Sequence, residues 1–189
     1  MANTMTNYLE VVGTDEVVEA IDFMFEQAGG YADTDAFVNS FYGTTFDKGV
    51  PHDWLYENVG TKWIYVENEI HRGEWNISSA TYTPEEFWIK LYKIAVEIDP
   101  NVEIQVKFQD EVYDPIGGFV AKKDYKGVPR WSIEEDYDVE DPTSDMDWDD
   151  EDYDDIQMKF LEEVDELQEE LLNYAHDTVW SGEGTEIKF

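Results

Sequence analysis

Cysteine is absent, which excludes disulfides, thiolate nucleophiles and cysteine-ligated zinc. Bases are scarce: 12 Lys and Arg face 46 Asp and Glu, for a formal net charge of -34. A surface of that sign repels nucleic acid and anionic membrane, attracts basic surfaces, and steers association over a range set by salt. No stretch approaches the ~20 apolar residues that a membrane span needs. Met1 to Met5 carry neither the charged nor the apolar region of a secretory leader, so a cytosolic protein with no membrane partner is expected. Histidine occurs only at His52, His71 and His176, far apart in the chain. No G-x-S-x-G, P-loop or G-x-G-x-x-G is found. Paired carboxylates are too abundant for any one pair to mark a site. The expectation is a binding protein, not an enzyme, with no cofactor.

What the chain has in plenty is hydrophobic and aromatic residues, 42% and 15% of its 189 positions. Acidic disordered chains have few aromatics. This one has enough length and apolar content for one folded domain with a core, plus an appendage. The charge is uneven. Residues 134–189 hold 23 of the 46 acids and only 2 of the 12 bases. Adaptation to high salt would spread the acids throughout, so the asymmetry argues for a local purpose.

In chain order, Asn7 to Val12 reads as a strand ended by Gly13. Thr14 suits an N-cap and Asp15 and Glu16 suit a helix N-terminus, with Val17, Ile21, Met24 and Ala28 at helical spacing before Gly29-Gly30. Residues 31–61 read as an inserted, partly ordered segment ending in a short helical turn at Gly60. Trp63 to Glu67 and Glu74 to Thr81 form a hairpin around His71-Arg72-Gly73. Thr83-Pro84-Glu85-Glu86 is a capping-box pattern, followed by Phe87, Leu91, Ile94 and Ile98 on one helical face. Val102, Ile104, Val106 and Phe108 alternate as a strand with one buried face. Gly117-Gly118 precedes a strand at Phe119 to Lys123, and a last one surrounds Arg130 to Ile133. The order β-α-β-β-α-β plus extra strands predicts an α+β, ferredoxin-like antiparallel sheet with both helices on one face. Residues 1–133 form this domain, and residues 134–189 form an acidic segment with a C-terminal amphipathic helix.

Trp54-Leu55-Tyr56-Glu57-Asn58-Val59-Gly60-Thr61-Lys62-Trp63 resembles the W-x3-N-W-G-T-K-W motif of the Api-type phage ferredoxin-like family, with Val59 in place of its second tryptophan. Ser79 to Pro84 stands where that family has F-x-T-A-W-S-P-P. Phe108-Gln109-Asp110-Glu111 and Gly117-Gly118-Phe119 resemble its Y-x-D-E and F-x-G elements. The likeness spans residues 50–125. It implies a ferredoxin-like fold, a phage or mobile-element origin and therefore a host-cytoplasm location. It brings no catalytic residues. Trp54, Asn58, Lys62 and Trp63 stand as one candidate ligand site, although Gly60 also serves to end a helical turn and the tryptophans to fill a core.

The acidic segment is the other candidate. Asp145, Asp147 and Asp149 match the first ligand positions of an EF-hand, but Asp150 and Ile156 fall where glycine and glutamate are required. No metal site is therefore expected beyond loose divalent-cation binding. From Ile156 to Ala175 the chain reads as a helix with the stripe Ile156, Phe160, Val164, Leu167, Leu171 and Tyr174, joined by Leu161, Leu172 and Ala175. Carboxylates crowded at the charge density of DNA can occupy a channel built for phosphates. The leading expectation is a phage-encoded, anti-CRISPR or anti-restriction nucleic-acid mimic that binds a basic DNA-binding host protein, a defence nuclease, and does not itself bind nucleic acid. Its contact residues would be Asp145, Asp147, Asp149, Asp150 and Glu151, then Asp152, Asp154 and Asp155, with Trp148 and Tyr153 as aromatic anchors. The helix would add Glu162, Glu163, Glu166, Glu169 and Glu170. The alternatives are a binding protein using Asn58 to Trp63, its acids serving solubility, and an acidic scaffold or chaperone for a basic partner. The mimic reading predicts that a gel shift with duplex DNA or RNA at physiological salt shows no binding by the isolated protein; micromolar binding there would rule it out.

Overall fold

Alternating apolar residues build a seven-stranded, wholly antiparallel sheet. Its strands are β1 (Thr4–Val12), β2 (Ile64–His71), β3 (Glu74–Ala80), β4 (Glu103–Asp110), β5 (Ile116–Lys123), β6 (Pro129–Asp136) and β7 (Thr185–Glu186). The spatial order is β2-β3-β1-β4-β5-β6-β7. Among the described residues, five helices complete this α+β fold: α1 (Asp15–Gln27), α2 (Thr34–Tyr42), α3 (His52–Asn58), α4 (Glu85–Ile98) and α5 (Tyr153–Ser181). The structure is a computed structural model and describes residues 3–29, 33–137, 139–144, 146–147 and 152–189. Among these residues, no helix is long and apolar enough to cross a membrane.

Helices α1 and α4 lie on the same face of the sheet. Val17, Ile21 and Phe25 from α1, with Phe87, Leu91 and Ala95 from α4, share one core with Met5, Leu9, Ile77, Ile104, Val106 and Phe108. The stretch expected to be a partly ordered insertion contributes two helices. Asp33 caps α2 by accepting from the Ala36 amide at 2.9 Å, and left-handed Gly43 ends it. Phe37 and Phe41 then reach Phe25 and Phe87 at ring separations of 4.8–5.0 Å. Thr83 does not cap α4. Its hydroxyl accepts the Trp88 indole N–H at 2.8 Å instead.

The second face belongs to α5, which packs on β5, β6 and β4. Covered on both sides, β5 is buried along nearly its whole length. Gly117 and Gly118 lie inside this strand, not before it, and close approach explains both. A Cβ at Gly118 would stand 2.6 Å from the Leu172 amide nitrogen and Cα, and one at Gly117 would stand 2.3 Å from the Phe108 ring. Phe160 and Val164 pack on Ile116, while Ala175 and Val179 pack on Val120. Between these groups the buried Gln168 donates its amide to the Phe108 carbonyl at 2.9 Å. The inward stripe therefore runs 160, 164, 168, 175, 179. Tyr174 precedes Ala175 by about 100° of helix rotation and is 65% exposed, contrary to expectation; Leu161, one residue past Phe160, is 41% exposed.

The acidic run starts inside the sheet, because Glu134, Glu135 and Asp136 are the end of β6. The chain finally returns through β7 beside Arg130 and Trp131, and Ile187 enters the main core. Because backbone meets side chain at Gly118, Gly118→Ala is expected to lower unfolding free energy by about 1–3 kcal/mol. Urea denaturation measures this; an unchanged midpoint would mean that α5 is not seated there.

Candidate functional site

The outer face of α5 is a row of carboxylates. Asp154, Asp155, Glu162, Glu163, Glu166, Glu169 and Glu170 are all exposed, as are Asp165 and Asp177. Asp147 and Asp152 are exposed, and Tyr153 is half-buried at the helix start. Asp145, Trp148, Asp149, Asp150 and Glu151 lie outside the described residues. With ~1.5 Å rise per residue, Asp154 to Asp177 spans ~35 Å. Nine acids and one base, Lys159, lie along that span, an average of one acid per ~4 Å of axis against ~3.4 Å between phosphates on one DNA strand, but they are grouped, with none between Asp155 and Glu162 or between Glu170 and Asp177.

The cations that α5 meets come from the sheet and sit on its inner flank. Lys107 Nζ contacts Asp165 at 2.9 Å and Glu169 at 3.0 Å. Asp165 and Glu169 are thus turned toward the sheet, and Glu163, Glu166 and Glu170 lie about 100–160° of helix rotation from Asp165. Near the helix end, Lys122 Nζ pairs with Glu103 at 2.6 Å and meets His176 Nε2 at 2.5 Å. Among the described residues, no group of three or more His, Asp or Glu is arranged to hold a metal ion.

The Trp54–Trp63 candidate uses its polar groups internally. Asn58 donates to the Trp54 carbonyl at 2.8 Å and accepts at its own carbonyl from the Tyr42 hydroxyl, also at 2.8 Å. Trp54 packs on Tyr42 and Phe46. Buried Thr61 exchanges hydrogen bonds with the Ala80 backbone at 2.8 and 3.0 Å. Trp63 stacks on Tyr65 at 5.4 Å, and Lys62 is half-buried. These contacts tie α3 to α2, and the chain after α3 to the end of β3 and to β2.

A third feature was not singled out in the sequence. Tyr8, Glu10, Gln105, Lys107, Glu169 and Leu172 line a pocket of about 160 Å³ where the open part of the sheet meets α5. The Tyr8 hydroxyl donates to Glu74 at 2.5 Å. Burial, this bond and the surrounding carboxylates raise the Tyr8 phenol above its ordinary range. Burial also raises the Glu10 carboxyl, with Glu74 and Glu169 adding to the shift against the lowering effect of Lys107. The polar alternation of Thr6, Tyr8 and Glu10 in β1 was the available signal, but which neighbours would face them depended on the long-range register of β1 with β3 and β4.

Comparison with family models, with curated proteins and with solved structures yields no match.

A carboxyl whose folded-state pKa is raised binds its proton more tightly in the folded state than in the unfolded one. Its ionised form therefore costs stability at neutral pH, and the cost disappears as pH falls through the raised value. Glu10→Gln is expected to raise the melting temperature at pH 7 slightly, as suits solvent-screened repulsion, with the gap to the parent closing on acidification. A lower melting temperature for the variant at pH 7 would show that Glu10 is net stabilised by Lys107.

Proposed function

We propose that this chain is an acidic mimic of nucleic acid that occupies the phosphate-binding channel of a basic host protein, a DNA-binding defence effector of CRISPR or restriction type, and inhibits it by binding without catalysis. The observation that carries the reading is the run of exposed carboxylates on α5, densest from Glu162 to Glu170, whose average axial density is close to that of phosphates on one DNA strand. A helix packed along a sheet holds that row in line, so little order has to be gained on binding. Electrostatic complementarity of this kind accelerates encounter and excludes acidic competitors. Asp147, Asp152 and the first turn of α5 extend the same surface toward the most acidic part of the sequence.

The strand order β2-β3-β1-β4, with α1 and α4 on one face, supports reading residues 4–110 as a ferredoxin-like unit to which β5, β6, β7 and α5 are added. The Api-type resemblance over residues 50–125 supports a phage origin and action in the host cytoplasm. The internal hydrogen bonds of Asn58 and Thr61 favour a structural part for that motif over a ligand site.

The test combines capture and competition. The protein, immobilised in a host lysate, retains a DNA-binding protein that duplex DNA displaces. Affinity for that partner falls by ~10³-fold or more between 50 and 200 mM salt if six or more acids replace phosphates. Changing Asp154 and Asp155 to Asn, and Glu162, Glu163, Glu166 and Glu170 to Gln, abolishes binding and leaves the melting temperature equal or higher, since self-repulsion is relieved. A folded sixfold variant that binds its partner as tightly as the parent defeats the proposal.

A further inference from the structure

Helix α5 covers only part of its side of the sheet. It lies over β4, β5 and β6, and on the same face of β1, β3 and β2 it leaves Thr6, Tyr8, Glu10, Glu67 and Glu74 at least partly exposed, while Ser78 and Ala80 are buried. Register puts Glu10 beside Glu74, Tyr8 beside Asn76 and Lys107, and Tyr65 beside Ser78 across this floor. Thr6 and Glu67 are exposed, and Tyr8, Glu10 and Glu74 are half-buried. The flank of α5 with Asp165 and Glu169 forms a wall, so floor and wall make an open trough. Its carboxylates are Glu10, Glu67, Glu74, Asp165 and Glu169. Lys107 is the cation at the seam, already held by Asp165 and Glu169, with its Nζ 5.5 Å from the Tyr8 ring centre.

We propose that this trough docks a cationic segment of a protein partner and seats one arginine side chain in the pocket between Tyr8, Glu10, Glu169 and Leu172. The argument is charge complementarity with chemical fit. A volume of about 160 Å³ suits one long side chain, not a drug-sized ligand. Leu172 offers an apolar surface to the aliphatic stem of an arginine, beside Lys107, which also lines the pocket. Glu10 and the Gln105 amide oxygen supply acceptors. Glu10 is held at the edge of the pocket, its carboxyl raised first by burial and then by Glu74 and Glu169, against the lowering effect of Lys107. A guanidinium entering the pocket replaces that repulsion by attraction. Nucleic acid and a second copy of this chain, itself at -34, are both repelled by the same field.

The inference rests on the partner being a basic protein, but its residues differ from the outward row on α5, so the two fail separately. The probe is acetyl-arginine-amide titrated into ¹⁵N-labelled protein at physiological salt, with acetyl-citrulline-amide as the neutral control. The expected result is saturable amide shifts at Tyr8, Glu10, Gln105 and Lys107, absent with citrulline. In the Glu10→Gln, Glu74→Gln double variant, whose own spectrum reports its folding, arginine binds about tenfold more weakly. In the sixfold α5 variant the same shifts persist. Shifts that grow linearly along the outer acids of α5 without a saturating set at the pocket would overturn the proposal, as would equal binding by the double variant. Loss of partner capture by the sixfold variant with the pocket shifts retained would keep both readings. Retained capture with retained shifts would leave the trough as the contact in place of the outer row.

Discussion

The contact on which the rest of this structure depends is backbone on backbone, α5 lying against β5 at Gly118. The absence of a side chain there brings Leu172 to within a distance that any Cβ would forbid. With the helix that close, Phe160 and Val164 reach Ile116, Val179 reaches Val120, and the Gln168 amide reaches the Phe108 carbonyl. The same approach brings Lys107 within ion-pair distance of Asp165 and Glu169, and Lys122, paired with Glu103 inside the sheet, within reach of His176. One glycine therefore sets both the packing of the second layer and the direction in which its acids point.

Four of the twelve cations join elements of the fold. Arg130 holds Asp124 at 2.9 Å and the Gly184 carbonyl at 2.7 Å, tying the β5–β6 turn to the chain before β7. Lys107 and Lys122 join α5 to the sheet. Arg72 bridges the β2–β3 turn to Asp15 and Glu19 on α1, half-exposed and so worth at most ~1 kcal/mol. Titration separates two kinds of acid. Burial alone would raise Asp124, but the Val128 and Lys126 amides and Arg130 hold it below its ordinary range, and the Asn101 and Thr14 amides do the same for Asp99. The stability these two contribute is present above the ordinary aspartate range and is lost as pH falls through their lowered values. Glu10, Asp22 and Glu85 are raised, first by burial and then by neighbouring carboxylates, and act in the opposite sense. Mild acid should relieve repulsion before stronger acid breaks the turn.

Local patterns were legible where one face decided them. The alternation of Ile104, Val106 and Phe108, the Arg72-Gly73 turn and the apolar faces of α1 and α4 all carry their period in the sequence, and the antiparallel sheet with both helices on one face follows from their order. The doubled glycines misled because glycine ends elements as often as it admits a neighbour, and only α5 reveals which happens in β5. Helix α2 was obscured by nearby glycines and prolines although Asp33 and Gly43 bound it. The burial of Gln168 and exposure of Tyr174 depend on the exact rotation of a long helix, to which a one-residue error adds about 100°. The acidic row was legible as composition; its trough-side neighbour was not, because Glu10, Glu74 and Glu169 meet only through pairings distant in sequence.

Helix α5 is a poor helix by its own chemistry. The like-charged pairs Glu162–Glu166, Glu166–Glu170 and Asp165–Glu169 together cost about 0.6–1.5 kcal/mol, and no base stands in the last turn to meet the dipole. Asp154 and Asp155 in the first turn recover part of that. Burial decides the outcome: Phe160, Val164 and Val179 are nearly inaccessible, and each contributes roughly 1.5–3 kcal/mol when fully buried. Their sum exceeds the repulsion severalfold. The carboxylates are thus aligned by the sheet beneath them, not by any preference of the acidic segment for helix, and a free peptide of the same sequence would lose the row that the folded chain presents.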